Sequence, residues 1–137
     1  MWIDTHCHLN AAPFSGKVQQ TVELSRKNGV SHILIPAIDR DSFTDVHDIT
    51  HTVDGCSYAL GIHPLYVPQS PESDLDVLEQ WVREKMADSR FVAIGEIGLD
   101  FYLPPRGKSR NIFSAASWKS PVSMICRCCC TPCVRWI

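Results

Sequence analysis

The sequence predicts an α/β fold built on a parallel sheet, on three observations. Short apolar runs of strand character recur through residues 1–102, a helix-periodic segment separates each run from the next, and the rhythm stops at about residue 103.

The first run, Trp2–Thr5, is followed by a helical segment over Lys17–Asn28 that stops on Gly29, a residue suited to the left-handed turn after a helix. His32–Ala37 (HILIPA) is the second strand. Ser42–Val53 then sets Phe43, Val46, Ile49 and Val53 on one helical stripe. Ser57–Ile62 (SYALGI) is the third strand, and Asp74–Ala87 aligns Leu75, Leu78, Val82 and Met86, with Trp81 beside them. Ser73 is the expected N-cap of that helix, with Asp74 and Asp76 favourable in its first turn. Phe91–Glu96 (FVAIGE) is the fourth strand and sets Glu96 on the face of Val92 and Ile94.

Strands joined by single helices imply parallel βαβ units, whose right-handed crossovers leave every strand C-terminus at one end of the sheet. Four such units are half of an eight-stranded barrel, which usually takes ~250 residues. The expected fold is therefore a partial (β/α)8 TIM barrel, the first four βα units only, followed by an irregular tail.

Composition divides the chain at the same point. Its 137 residues, 45% hydrophobic and 20% charged, are globular in character, and no apolar run approaches the ~18 residues of a membrane span. The first residues, MWIDTHCH, lack the basic and apolar regions of a secretory signal, so a cytoplasmic setting is expected. Residues 1–102 carry all 15 acidic residues, whereas 103–137 carry basic residues only and crowd Cys126, Cys128, Cys129, Cys130 and Cys133 together. The expected organisation is a half-barrel over 1–102 and a basic, Cys-rich tail over 103–137.

Two short stretches can carry chemistry. In DTHCH (Asp4 to His8), His6 and His8 stand two apart at a strand end, so a strand period projects both imidazoles from one face, with Asp4 on the same face. Two converging neutral imidazoles are half of a metal site. In IGEIGLD (residues 94–100), Glu96 sits at the tip of the fourth strand, at the same end of the sheet. Mixed imidazole and carboxylate donors suit Zn, Mn, Ni or Fe, and a site with open water positions can employ Mg.

Asp4-Thr5-His6-Cys7-His8-Leu9, Gly61-Ile62-His63-Pro64 and Gly95-Glu96-Ile97-Gly98-Leu99-Asp100 together resemble three signature stretches of the TatD family of metal-dependent hydrolases, amidohydrolase-type (β/α)8 barrels. The resemblance implies hydrolysis of phosphodiester bonds in DNA with one or two divalent ions, Mg, Zn or Mn. It implies His6 and His8 as metal ligands, Glu96 as the metal-bridging catalytic carboxylate, and His63 toward the substrate phosphate. Asp4 and Asp100 then orient the ligands from behind. The flanking Gly95 and Gly98 leave room for close approach.

The family's later strands supply two further histidines and an aspartate, and this sequence has no His after 63 and no acidic residue after 100. The site is expected to be incomplete within one chain, and the change near residue 103 is what a shifted reading frame would produce. Half a barrel also leaves its first and fourth strands as open edges, from which poor solubility or self-association follows. The rival to an enzyme is a catalytically silent fragment that binds metal or nucleic acid.

Two further patterns carry less. His47-Asp48-Ile49-Thr50-His51 resembles HExxH with aspartate for the glutamate base, and is read as a solvated polar helix face. The tail's single CxxC lacks a second spaced pair and is read as incidental composition.

Overall fold

The computed structural model describes residues 1–98. Asp100 and the tail over 103–137 lie outside the described residues. Four parallel strands form one sheet in sequential order: β1 (Trp2–Asp4), β2 (Val30–Pro36), β3 (Cys56–Leu60) and β4 (Phe91–Ile94). Helices α1 (Val18–Lys27), α2 (Ser42–Thr52) and α3 (Ser73–Lys85) fill the three crossovers, with 3-10 turns at Ala12–Phe14 and Val67–Gln69. A sheet that grows one strand at a time, with a helix in each crossover, is the wall of a (β/α) barrel; a doubly wound sheet reverses its order midway. The α/β fold class and the partial barrel are as the sequence predicts.

The register explains the core. Ile33 and Ile35 of β2 stand beside Cys56 and Tyr58 of β3, and all four are buried together with Val22 of α1, Phe43 and Val46 of α2, and Leu78 and Val82 of α3. Helix α1 ends as expected, with Gly29 at φ 89° and its N–H on the Arg26 carbonyl. The other sheet face is more polar: His32 Nε2 lies 3.0 Å from Ser57 Oγ. Among the described residues β1 and β4 are the outer strands of the sheet, and Trp2 is 74%, Ile3 60% and Val92 42% exposed on them. No helix among the described residues is long and apolar enough to cross a membrane.

Three local expectations are corrected. Ser73 does not cap α3; it is the first helical residue, preceded by Glu72 at helical φ and ψ with no side-chain cap. The Asp74 and Leu75 N–H groups donate instead to the Pro71 and Glu72 carbonyls, so a tight turn has already satisfied the donors that a serine would serve. Met86 lies past the end of α3 and is exposed, off the stripe of Leu78 and Val82. Val92 and Ile94 differ in burial, and β4 stops at Ile94, so strand alternation is not what delivers Glu96.

Candidate metal centre at the mouth of the sheet

All the groups at this site come from the C-terminal ends of the strands, but loop geometry aims them. Strand β1 ends at Asp4, whose Oδ1 accepts the His6 backbone N–H at 3.0 Å. The Cys7 N–H then donates to the Leu34 carbonyl at 3.0 Å, tying the HxH segment to β2. His6 and His8 therefore converge from a pinned rim turn, with their Nε2 atoms 3.2 Å apart. Asp4 acts through the backbone of His6.

Glu96 must reach across the sheet from β4 to β1, and the backbone takes it most of the way. The Gly95 N–H donates to the Leu60 carbonyl at 2.9 Å and the Glu96 N–H to the Ala37 carbonyl at 3.3 Å, so the peptide between them, which is cis, crosses the end of β3. It crosses at Gly61, where a Cβ would stand 2.5 Å from the Gly95 carbonyl carbon and 2.8 Å from the Glu96 nitrogen. Only a residue without a side chain permits that path.

The carboxylate then meets both imidazoles: Oε1 lies 3.0 Å from His6 Nε2, and Oε2 lies 3.6 Å from His8 Nε2. Glu96 is 2% exposed, and its Oε2 is buried without a hydrogen-bond partner. Burial pushes its carboxyl up from the ordinary range, against the opposing pull of the His6 imidazole. Burial, and then the neighbouring His6, hold His8 below its ordinary value, while a hydrogen bond to the Pro36 carbonyl works the other way.

This donor set fits a divalent cation. His6, His8 and Glu96 bring one ligand atom each to within 4.8 Å of one another. The orphaned buried oxygen of Glu96 is the kind of group that a bound cation satisfies.

His63 faces the same space from the loop after β3. Its Nδ1 accepts the Leu65 N–H at 3.1 Å, so the neutral ring carries its proton on Nε2, which lies 4.0 Å from Glu96 Oε1. That tautomer makes Nε2 a donor and leaves it no lone pair for a metal. Beside the cluster opens a pocket of about 430 Å³, lined by His8, Asn10, Ile38, His63, Tyr66 and Glu96 among others. Of the residues singled out in the sequence, the structure brings together His6, His8, Glu96 and His63, places Asp4 behind His6, and does not describe Asp100. Sequence reasoning missed Asn10, whose Oδ1 is buried without a partner at the pocket, and Gly61 as the crossing point for Glu96. Asn10 carries no signal beyond its place next to a motif, and Gly61 stands within one, at the head of Gly61-Ile62-His63-Pro64, without a spacing that shows its role.

Comparison with known proteins places the whole described region in context. The family described as TatD related DNase matches residues 3–118. The metal-dependent hydrolase YjjV of Escherichia coli is 34% identical over 101 residues, covering 74% of this chain and 38% of that protein. YabD of Bacillus subtilis, also named a metal-dependent hydrolase, is 32% identical over 115 residues, covering 82% of this chain and 44% of its own. A mouse relative whose name proposes deoxyribonuclease activity, TATDN3, is 35% identical over 106 residues, covering 72% of this chain and 35% of its own. The crystal structure of E. coli YjjV superimposes with a TM-score of 0.70 at 30% identity, covering 87% of this chain and 43% of that one. The chain thus spans less than half the length of each of these relatives. With its parallel sheet, its HxH rim turn and its buried Glu96, it belongs to the TatD family.

Proposed function

We propose that this chain carries the first part of the active site of a metal-dependent hydrolase that cleaves phosphodiester bonds in DNA. The observation that carries the reading is Glu96, a buried carboxylate with one orphaned oxygen, set 3.0 and 3.6 Å from two imidazole nitrogens at the mouth of a parallel sheet. The family description and the name of the mouse relative support DNA as the substrate class.

His6, His8 and Glu96 would hold the ion, and one divalent ion or a pair of them, Mg, Mn or Zn, would supply Lewis-acid chemistry toward water and phosphate when bound. His63 donates from Nε2 into the pocket, the position for a hydrogen bond to a phosphate oxygen. Burial of Glu96 keeps its charge unscreened by solvent, so its field acts at close range on whatever occupies the cluster. Asp4 fixes the rim turn that aims His6, and the family resemblance implies a ligand-orienting role for Asp100 as well. The exposed Trp2, Ile3 and Val92 on the two edge strands support self-association of the chain through those edges.

The test is a nuclease assay on the full chain with added Mg, Mn or Zn, beside His6→Ala and Glu96→Ala. Metal-dependent cleavage lost in both variants is the expected result. Metal uptake without cleavage identifies the second reading, a catalytically silent metal binder.

A further inference from the structure

We propose that His47, His51 and Asp88 form a second divalent-cation site, at the opposite end of the sheet from the mouth, that clamps α2 to the turn before β4. The face is part-solvated as the sequence suggests, with His51 40% and His47 23% exposed, but the two rings are also ordered against their neighbours. Their rings stack 4.2 Å apart between centroids, and pack edge-on against Tyr58 of β3 and Trp81 of α3 at 5.8 and 6.0 Å from His47.

The hydrogen bonds decide where the lone pairs are. His51 Nδ1 lies 2.8 Å from the His47 carbonyl oxygen, an atom that only accepts, so Nδ1 bears the proton and Nε2 of the neutral ring is bare. His47 Nδ1 lies 2.9 Å from Asp48 Oδ1, and the same reasoning leaves its Nε2 bare. Both histidines thus have the arrangement of metal-ligating imidazoles, one nitrogen anchored to an oxygen and the other presented outward.

Asp88 completes the set, from 37 residues beyond His51. Its Oδ2 lies 3.3 Å from His51 Nε2, and the carboxylate is fixed by the Tyr58 hydroxyl at 2.7 Å and the Arg90 N–H at 2.9 Å. A bare imidazole nitrogen facing a carboxylate oxygen is repulsive unless a metal ion or a shared proton lies between them. One ligand atom from each of the three residues falls within 4.8 Å of the others, a span that a first-row ion with bonds of ~2.0–2.2 Å closes by small side-chain rotations. Two imidazoles and one carboxylate select a borderline ion such as Zn, Co or Ni over Mg or Ca. Asp88 lies just before β4, at the N-terminal end of the strands, where such a barrel keeps stabilising rather than catalytic groups.

The experiment uses the full chain with its thiols alkylated, so that the cysteines cannot bind, and with His6→Ala and His8→Ala to silence the mouth. Titration with Co is followed by visible absorption. The expected result is uptake of one equivalent, abolished by adding His51→Ala and weakened roughly tenfold by adding Asp48→Ala, which removes only the outer carboxylate. As a check that needs no variant at this site, Zn should suppress diethyl pyrocarbonate labelling of His47 and His51 in the otherwise unmodified chain. No Co uptake in the His6→Ala/His8→Ala protein, uptake indifferent to His51→Ala, or labelling unchanged by Zn would each overturn the proposal, and would leave a proton shared by His51 and Asp88 as the cation in that gap.

Discussion

Gly61 lies directly beneath the peptide that carries Glu96: a Cβ at Gly61 would stand 2.7 Å from the Glu96 carbonyl oxygen. The neighbours that it would meet are backbone atoms, which cannot swing aside as the end of a flexible side chain can. Gly61→Ala should therefore push the 95–96 peptide off the Leu60 and Ala37 carbonyls, costing about 1–3 kcal/mol of stability as overpacking does. It should also weaken divalent-ion uptake at the mouth roughly tenfold, as loss of ligand orientation does. Urea unfolding and a Mn titration check the pair; wild-type values in both would mean that the close approach does not hold Glu96.

Glu96→Gln separates the cost of the buried charge from its use. Without metal, Glu96 is a desolvated carboxylate with an orphaned oxygen, so the neutral amide should leave apo stability unchanged or raise it. With metal the order inverts. Wild type gains about 2.7 kcal/mol when the ion is present at 100 times its Kd, and the variant gains none. Thermal unfolding in chelator and in excess Mn reads both effects, and a variant that loses apo stability yet keeps its metal-induced gain would contradict them.

Much of the sheet is legible in the sequence because its signals are local. Lys17–Asn28 and Ser42–Val53 show helical stripes, Gly29 shows the stop, and the strand runs stand between them; each helix end shifts by only a residue or two. Ser73 misleads because a capping residue type says nothing about whether a preceding turn has satisfied the same donors. Glu96 is found by its motif, whereas its route is not legible: the alternation that sequence reasoning extends past Ile94 gives way to a peptide held by two other strands. Asp88 is the clearest case of what local pattern hides. Its relation to His47 and His51 depends on the crossover through α3, and no spacing rule links them.

His63→Ala should separate substrate binding from metal binding. With Nδ1 occupied by the Leu65 N–H, its Nε2 can donate to a phosphate oxygen but cannot ligate. The variant should keep wild-type Mn affinity and bind a phosphorothioate dinucleotide about 10–100-fold more weakly, the worth of one hydrogen bond to a charged group. Loss of Mn affinity in parallel would make His63 a ligand and reverse the tautomer argument.

Ser42 gives the last prediction, because the loop that places His63 hangs on it. The Ser42 hydroxyl accepts the Ile38 N–H at 3.0 Å and the Asp39 N–H at 3.1 Å, and donates to the Asp39 carbonyl at 2.7 Å, while Asp39 Oδ1 accepts the Ser42 N–H at 2.9 Å. Ser42 is buried, so Ser42→Ala leaves two part-buried backbone donors without their acceptor and should cost about 1–3 kcal/mol in urea unfolding. Ser42→Thr keeps the hydroxyl and should recover most of that loss. The effect should also reach the pocket: the Ile38 carbonyl accepts the His63 N–H at 2.8 Å, so a loosened Ile38 moves His63 with it. Phosphorothioate affinity should fall in Ser42→Ala and return in Ser42→Thr, while Mn affinity should fall less, because the Ala37 carbonyl that holds the Glu96 N–H shares a peptide with Ile38 but His6 and His8 hang on other backbone contacts. A stability loss without any change in phosphorothioate affinity would show that Ile38 does not position His63.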